Sequence, residues 1–207
     1  MTKNDNRVIN VGLLGLGTVG AGVFEHFQKG AFGKFGIYLK SVAVQNPRKS
    51  RDVKASHLTG DANEILNDPQ IDIIIELIGG VSPAKEYIER AIKNKKSVVT
   101  ANKAVVARHA KELFPLAKKA GVDLAFEAAV GGGIPIIQIF QSLLGEKITK
   151  VMAILNGTTN YILSNMTKGL TFEKALNSAQ KNGFAEAKHI LDTGGFDARD
   201  KLSILAM

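Results

Sequence analysis

The feature that most constrains this chain is Gly15-Leu16-Gly17-Thr18-Val19-Gly20, set directly after the apolar run Val8–Leu14. That run is short and rich in β-branched residues, so it reads as a buried strand, and Ala21–Gln28 carries helical spacing. A G-x-G-x-x-G pattern means little alone. Between strand and helix it has a purpose: the first glycine permits the turn, the second lets backbone N–H groups approach a pyrophosphate, and the third lets helix and strand pack closely. The helix N-terminus then faces the anionic phosphates. Residues Gly15, Leu16, Gly17, Thr18, Val19 and Gly20 are therefore expected to bind the pyrophosphate of NAD or NADP.

The rest of the first 133 residues repeats the strand and helix alternation. Leu39–Val44 and Ile71–Ile78 are further apolar runs, the second closing on Gly79-Gly80, and His57–Leu66 between them has helical spacing. Ser82 and Pro83 suit the N-cap and first position of a helix through Lys93. A strand at Ser97–Thr100, a helix near Ala104–Ala120 and a strand at Val122–Phe126 follow. Successive βα units make an open parallel sheet with helices on both faces, so the expected fold class is α/β with a doubly wound Rossmann domain.

The texture changes at the glycine-rich stretch Glu127–Gly133, which sets the expected domains at 1–133 and 134–207. In the second part Pro135–Leu144 reads as a helix, Lys150–Leu155 as a strand and Thr158–Met166 as a helix. Gly169 breaks the chain before Thr171, the N-cap of a helix to about Lys181. This part reads as α+β.

Composition narrows the function. The chain has 207 residues and no cysteine, which removes disulfides, thiolate metal sites and the oxidation of aldehydes through a thioester. The formal charge of +8 is spread over amphipathic segments such as Lys85–Lys96 and Lys111–Lys119 without aromatic interleaving, which argues against nucleic-acid binding. No apolar run approaches the roughly 20 residues that cross a bilayer, and the start lacks a signal h-region. A soluble cytoplasmic protein is expected.

NAD and NADP part at the end of the second strand, where a carboxylate would hold the ribose hydroxyl and a cation the extra phosphate. Here Gln45-Asn46-Pro47-Arg48-Lys49-Ser50-Arg51 offers no carboxylate before Asp52. NADP is favoured through Arg48 and Lys49, with NAD left open, because such cations also suit a solvated loop.

Three further segments, in order, carry a family resemblance: Thr100-Ala101-Asn102-Lys103-Ala104, Glu127-Ala128-Ala129-Val130-Gly131-Gly132-Gly133-Ile134-Pro135, and Asn156-Gly157-Thr158-Thr159-Asn160-Tyr161-Ile162-Leu163 leading on to Gly183-Phe184-Ala185-Glu186 and Asp192 through Lys201. With the phosphate loop they cover nearly the whole chain, which resembles homoserine dehydrogenase. The resemblance implies reversible hydride transfer between L-aspartate 4-semialdehyde and L-homoserine, on the branch towards threonine, methionine and isoleucine. It also implies substrate carboxylates at Glu186, Asp192 and Asp197, a proton donor at Lys201 and a crevice lysine at Lys103. Gly79, Thr100, Lys103 and Gly183 are implied at the cofactor, and Glu127 with the backbone carbonyls of Val130, Gly132 and Ile134 at a monovalent cation such as sodium. A hinge between domains would also ask for the glycines of that turn.

The residues themselves suit the chemistry. Asp197 and Lys201 are four apart in a segment that reads as helical, so their side chains share a face, as do ordinary surface ion pairs. A lysine donates a proton near neutrality if burial or a neighbouring cation lowers its pKa.

The sequence departs from the family pattern at Lys188-His189, where Asp-Pro is usual, at Gly194, often acidic, and at Gln45, often basic. It also ends at Met207, so a truncation inside the substrate domain is expected, with homodimerisation belonging to the full-length form. Two rivals remain. A semialdehyde dehydrogenase working through a thioester is opposed by the missing cysteine; a non-catalytic NAD(P)-sensing module would not require Glu186, Asp192, Asp197 and Lys201.

Overall fold

The computed structural model describes residues 7–48, 58–143, 145–185 and 190–207. The chain divides into two compact units, residues 1–132 and 133–207.

The first unit runs β1 (Ile9–Leu14), α1 (Thr18–Gln28), β2 (Ile37–Ala43), β3 (Leu58–Thr59), α2 (Ala62–Asn67), β4 (Ile73–Glu76), α3 (Ala84–Lys93), β5 (Ser97–Thr100), α4 (Lys103–Ala120) and β6 (Leu124–Ala125). All pairings are parallel, and the strand order is β3-β2-β1-β4-β5-β6. The chain builds outward from β1 to β3, then returns to the other side of β1 to lay down β4. The strand order therefore reverses between β1 and β4, which opens a crevice at their C-terminal ends.

Alternation along β1 feeds two cores. Leu13 packs with Phe24 of α1 and with Val42 and Val44, whereas Leu14 packs with Ile65 and Leu66 of α2, Ile88 and Ile92 of α3, and Leu113 of α4. Each such side chain, fully buried, contributes about 1.5–3 kcal/mol. Asn102 caps α4 by accepting a hydrogen bond from the N–H of Val105, and Gly121 ends the helix in the left-handed conformation.

Three local expectations shift. Helix α1 starts at Thr18, not Ala21, with Gly17 at its N-cap, so the second half of the glycine motif is itself the first helical turn. The helix expected over 57–66 is a two-residue strand, β3, followed by α2, because Leu58 and Thr59 pair with Val42 and Ala43 and Asp61 then caps α2. Pro83, not Ser82, is the N-cap of α3; the Ser82 hydroxyl donates instead to Glu86 Oε1 at 3.3 Å.

The second unit holds α5 (Ile136–Ser142), α6 (Gly157–Met166), α7 (Phe172–Lys181), α8 (Ile190–Thr193) and α9 (Phe196–Leu205). Ile162 of α6 meets Ala175 and Ala179 of α7, and Tyr161 stacks on Phe184 with ring centroids 4.6 Å apart. The strand expected over 150–155 is not formed. This segment has no partner strand among the described residues, and Met152 and Ile154 stand exposed.

Candidate functional site

Gly15 leaves β1 with φ +97°, and a Cβ there would meet the Leu77 carbonyl oxygen at 2.7 Å. A Cβ on Gly20 would overlap the carbonyl oxygen of Gly15. A side chain is excluded at both positions. At Gly17 a Cβ would meet nothing within 4 Å, so open space lies over the first turn of α1, whose N–H groups have no intrahelical partners. Such an open helix N-terminus suits an anion.

A cleft of ≈ 660 Å³ adjoins this turn, lined among others by Gly15, Gly17, Val44, Gln45, Ile78 and Tyr87. The volume falls in the range of small-molecule sites, and its position at the ends of β1, β2 and β4 is the switch point. Gln45 brings no charge to the end of β2. Arg48 is exposed, its N–H donating to Asn46 Oδ1 at 3.0 Å. Lys49, Arg51 and Asp52 lie outside the described residues.

Beyond the cleft, Glu76 ends β4 with no exposed surface. Its carboxylate accepts from the Ile78 N–H at 2.8 Å, the Thr100 hydroxyl at 2.6 Å and the Asn102 amide at 3.5 Å. Thr100 Oγ1 in turn accepts from the Asn102 N–H at 2.9 Å, and the Asn102 amide also donates to the Gly80 carbonyl at 2.6 Å. Lys103 follows as the first residue of α4, half-buried.

The second unit carries its own polar cluster. Asn156 Nδ2 donates to Asp192 Oδ1 at 2.8 Å and to Asp197 Oδ2 at 3.0 Å, while its Oδ1 accepts the Thr159 N–H at 2.8 Å and so caps α6. Asp197 pairs with Lys201 at 2.7 Å, and Lys201 Nζ also donates to the Leu155 carbonyl at 2.8 Å. One turn of α9 thus presents a carboxylate and an ammonium held in a fixed relation, beside a second carboxylate. Together they can bind a small zwitterion and deliver a proton.

A family model described as homoserine dehydrogenase, NAD binding domain, matches residues 15–127, and one described as homoserine dehydrogenase matches residues 135–207. The chain belongs to the homoserine dehydrogenase family. It is 48% identical over 206 residues to the homoserine dehydrogenase of Synechocystis sp., covering 96% of this chain and 47% of that protein. Among solved structures, the homoserine dehydrogenase of Thiobacillus denitrificans superposes with a TM-score of 0.88 at 43% identity, over 97% of this chain and 48% of that one. A hyperthermophilic archaeal homoserine dehydrogenase in complex with NADPH superposes with a TM-score of 0.81 at 26% identity, over 96% of this chain and 69% of that one. The chain spans about half the length of the curated relatives it matches. It is an α/β chain: an NAD-binding Rossmann domain with part of the substrate domain of the family.

Within that family frame, the structure brings Asp192, Asp197 and Lys201 into one hydrogen-bonded cluster, and Thr100 into another with Glu76. Glu186, Lys188 and His189 lie outside the described residues. Gly79 (φ +80°) and Gly183 (φ +76°) follow β4 and α7 in the left-handed conformation. Glu127 opens a single 3₁₀ turn, Glu127–Ala129, followed by buried Val130 and by Gly132 at φ +60°; Ile134 belongs to the second unit. Among the described residues no helix is long and apolar enough to cross a membrane.

Sequence reasoning passed over Glu76 and Asn156. A carboxylate at the end of an apolar strand, just before Leu77-Ile78-Gly79-Gly80, was the available signal for the first. An asparagine heading Gly157-Thr158-Thr159, the pattern of an N-cap, was the signal for the second.

Proposed function

We propose that this chain is the cofactor-binding and proton-donating part of a homoserine dehydrogenase, interconverting L-aspartate 4-semialdehyde and L-homoserine. The observation that carries the reading is the Asp197–Lys201 pair, fixed by Asn156 and the Leu155 carbonyl, in a chain whose other unit carries a complete dinucleotide turn. A sensing module would need only the turn.

A bound nicotinamide cofactor would supply the hydride for the aldehyde carbon in its reduced form, and accept it back in its oxidised form in the reverse direction. Lys201 gives a proton to the carbonyl oxygen as the alcohol forms, and recovers it in reverse. Asp197 holds that ammonium in place, and Glu186, Asp192 and Asp197 receive the substrate's amino group. Lys103 orients the carbonyl. Gly15, Leu16, Gly17, Thr18, Val19 and Gly20 hold the pyrophosphate, while Gly79, Thr100 and Gly183 complete the cofactor site. The lack of a carboxylate before Asp52, with Arg48 and Lys49 in that loop, supports NADP over NAD, as does the NADPH-bound archaeal relative; Gln45, where the family often has a basic residue, leaves the extra phosphate to those two cations.

Glu127 and the carbonyls of Val130, Gly132 and Ile134 make an oxygen-only set suited to sodium. The enzyme of which this chain forms part works in the cytoplasm as a homodimer. The test is NADPH and NADH consumption with L-aspartate 4-semialdehyde, by this chain alone and extended by the remainder of the Synechocystis relative. The extended protein is expected to turn over, and Lys201→Ala to slow it about 100-fold or more, the usual worth of general acid catalysis. No turnover, or wild-type turnover in Lys201→Ala, would overturn the assignment.

A further inference from the structure

The nicotinamide half of a dinucleotide on this fold lies over the β4–β6 side of the switch point, because the phosphate turn after β1 commits the adenosine half to the β1–β3 side. The chain must therefore shape the loops that leave β4 and β5. Gly79 and Gly80 have left-handed φ in the first loop, and the second delivers Lys103 to the start of α4.

Glu76 links the two loops. Burying a carboxylate at the end of an Ile-Ile-Ile strand is costly unless donors surround it, and here three do, from both loops. The direction of the network is fixed. Thr100 Oγ1 already accepts the Asn102 N–H, so the hydroxyl proton is turned to Glu76. The Asn102 amide then bridges Glu76 to the Gly80 carbonyl, while its oxygen caps the helix that begins at Lys103. Elsewhere in the unit, the buried ammonium of Lys96 binds the carbonyls of Asp68 and Ile71, before β4 and β5 begin. That is fold maintenance. Glu76 does its bridging where those strands end, at the ligand side of the sheet.

We propose that Glu76 is a positioning residue that, acting through Thr100 and Asn102, holds the two loops that receive the nicotinamide half of the cofactor. This rests on the dinucleotide reading above. The Lys103 position then depends on a carboxylate that itself touches no substrate.

The experiment compares the affinities of the 207-residue chain for NADPH and for ADP, which carries only the adenosine half with its two phosphates. Glu76→Gln keeps the shape but turns a donor towards donors. It is expected to weaken NADPH roughly tenfold, the scale of one lost hydrogen bond to a charged group, and to leave ADP within about twofold. Thr100→Val should follow it, and Thr100→Ser, which keeps the hydroxyl, should restore NADPH binding. If Glu76→Gln does not fold, Asn102→Ser decides, because it can still cap α4 but has no amide to donate to Glu76 and Gly80, and Asn102 is not itself placed at the cofactor; unchanged NADPH affinity in it would overturn the proposal. Equal weakening of NADPH and ADP would reduce Glu76 to a fold role, and unchanged NADPH affinity would remove its role altogether. A wild-type chain that binds neither probe would overturn the dinucleotide reading and this one with it; a binding wild type with indifferent variants removes this proposal alone.

Discussion

The two units prepare for ligands in opposite ways. In the first, a six-stranded parallel sheet carries a broad apolar core from Leu14 to Leu113, and the proposed phosphate cradle is bare backbone at Gly15, Gly17 and Gly20. In the second, one small apolar cluster joins Ile162, Ala175 and Ala179, with Ile204 and Leu205 also buried, and the candidate chemistry sits in side chains, Asn156, Asp192, Asp197 and Lys201, that also tie the unit together. The first unit can lend its backbone to a ligand because its core holds the fold. The second uses the same groups for both tasks. Adding atoms should therefore hurt the first unit, and removing polar atoms the second.

The largest effect is expected at Gly20. By helix propensity alone Gly20→Ala would be favourable by about 1 kcal/mol, yet its Cβ would overlap the Gly15 carbonyl, a backbone group that cannot swing away. We expect a net loss of roughly 3 kcal/mol in urea unfolding, at the upper end for overpacking, together with loss of NADPH binding. Gly17→Ala sharpens the contrast. Its Cβ meets nothing and its φ is −77°, so stability should fall by about 1 kcal/mol or less, the N-cap preference for Gly over Ala, while NADPH affinity falls about tenfold because the methyl stands where phosphate would approach. Equal stability of the two variants would show that the close approach of α1 to β1 is not what Gly20 serves.

Removing polar atoms from the second unit comes next. Asn156→Ala strips the cap of α6 and the donor shared by Asp192 and Asp197, so about 2 kcal/mol should be lost. Hydrogen exchange in α6 and α9 should rise while that of β1 and β4 stays as it was. Asn156→Asp would set a third carboxylate against two and be worse still near neutral pH. A variant without effect on α9 would break the claim that one asparagine serves both tasks.

How much of this was legible in the sequence follows from the same contrast. The glycine turn, β5 and the Asp197–Lys201 pair are local patterns, readable because period and spacing fix them. Strand β3 was not, since Leu58 and Thr59 become a strand only through pairing with Val42 and Ala43. Residues 150–155 hold a short apolar run like that of a strand but lack a partner strand among the described residues, so their composition alone misled. Glu76 was absorbed into an apolar run, because its meaning lies in donors 24 and 26 residues away, at the end of β5 and in the loop after it.

The smallest effect separates stability from ligand binding inside the first unit. Asp68, at the C-cap of α2, takes a 2.6 Å hydrogen bond from Lys40 of β2, and this, with the Gln70 N–H, holds its carboxyl below the ordinary 3.8 against an opposing push from burial. A folded-state value below the unfolded one means the unfolded chain binds the proton more readily. The pair therefore contributes fully above pH 3.8, and its contribution is lost as pH falls through the lower folded value. With both side chains partly exposed, the contribution should be about 1 kcal/mol or less. Asp68→Asn is expected to lose that amount at pH 7 and to flatten the fall in stability below 3.8, as read by urea midpoints across acid pH. Neither residue lines the cleft, so NADPH affinity should stay within about twofold, well under one tenfold step of 1.4 kcal/mol. A larger drop in affinity would mean that the sheet transmits this ion pair to the cradle, and that core and cradle are not as separate as the first unit's architecture implies.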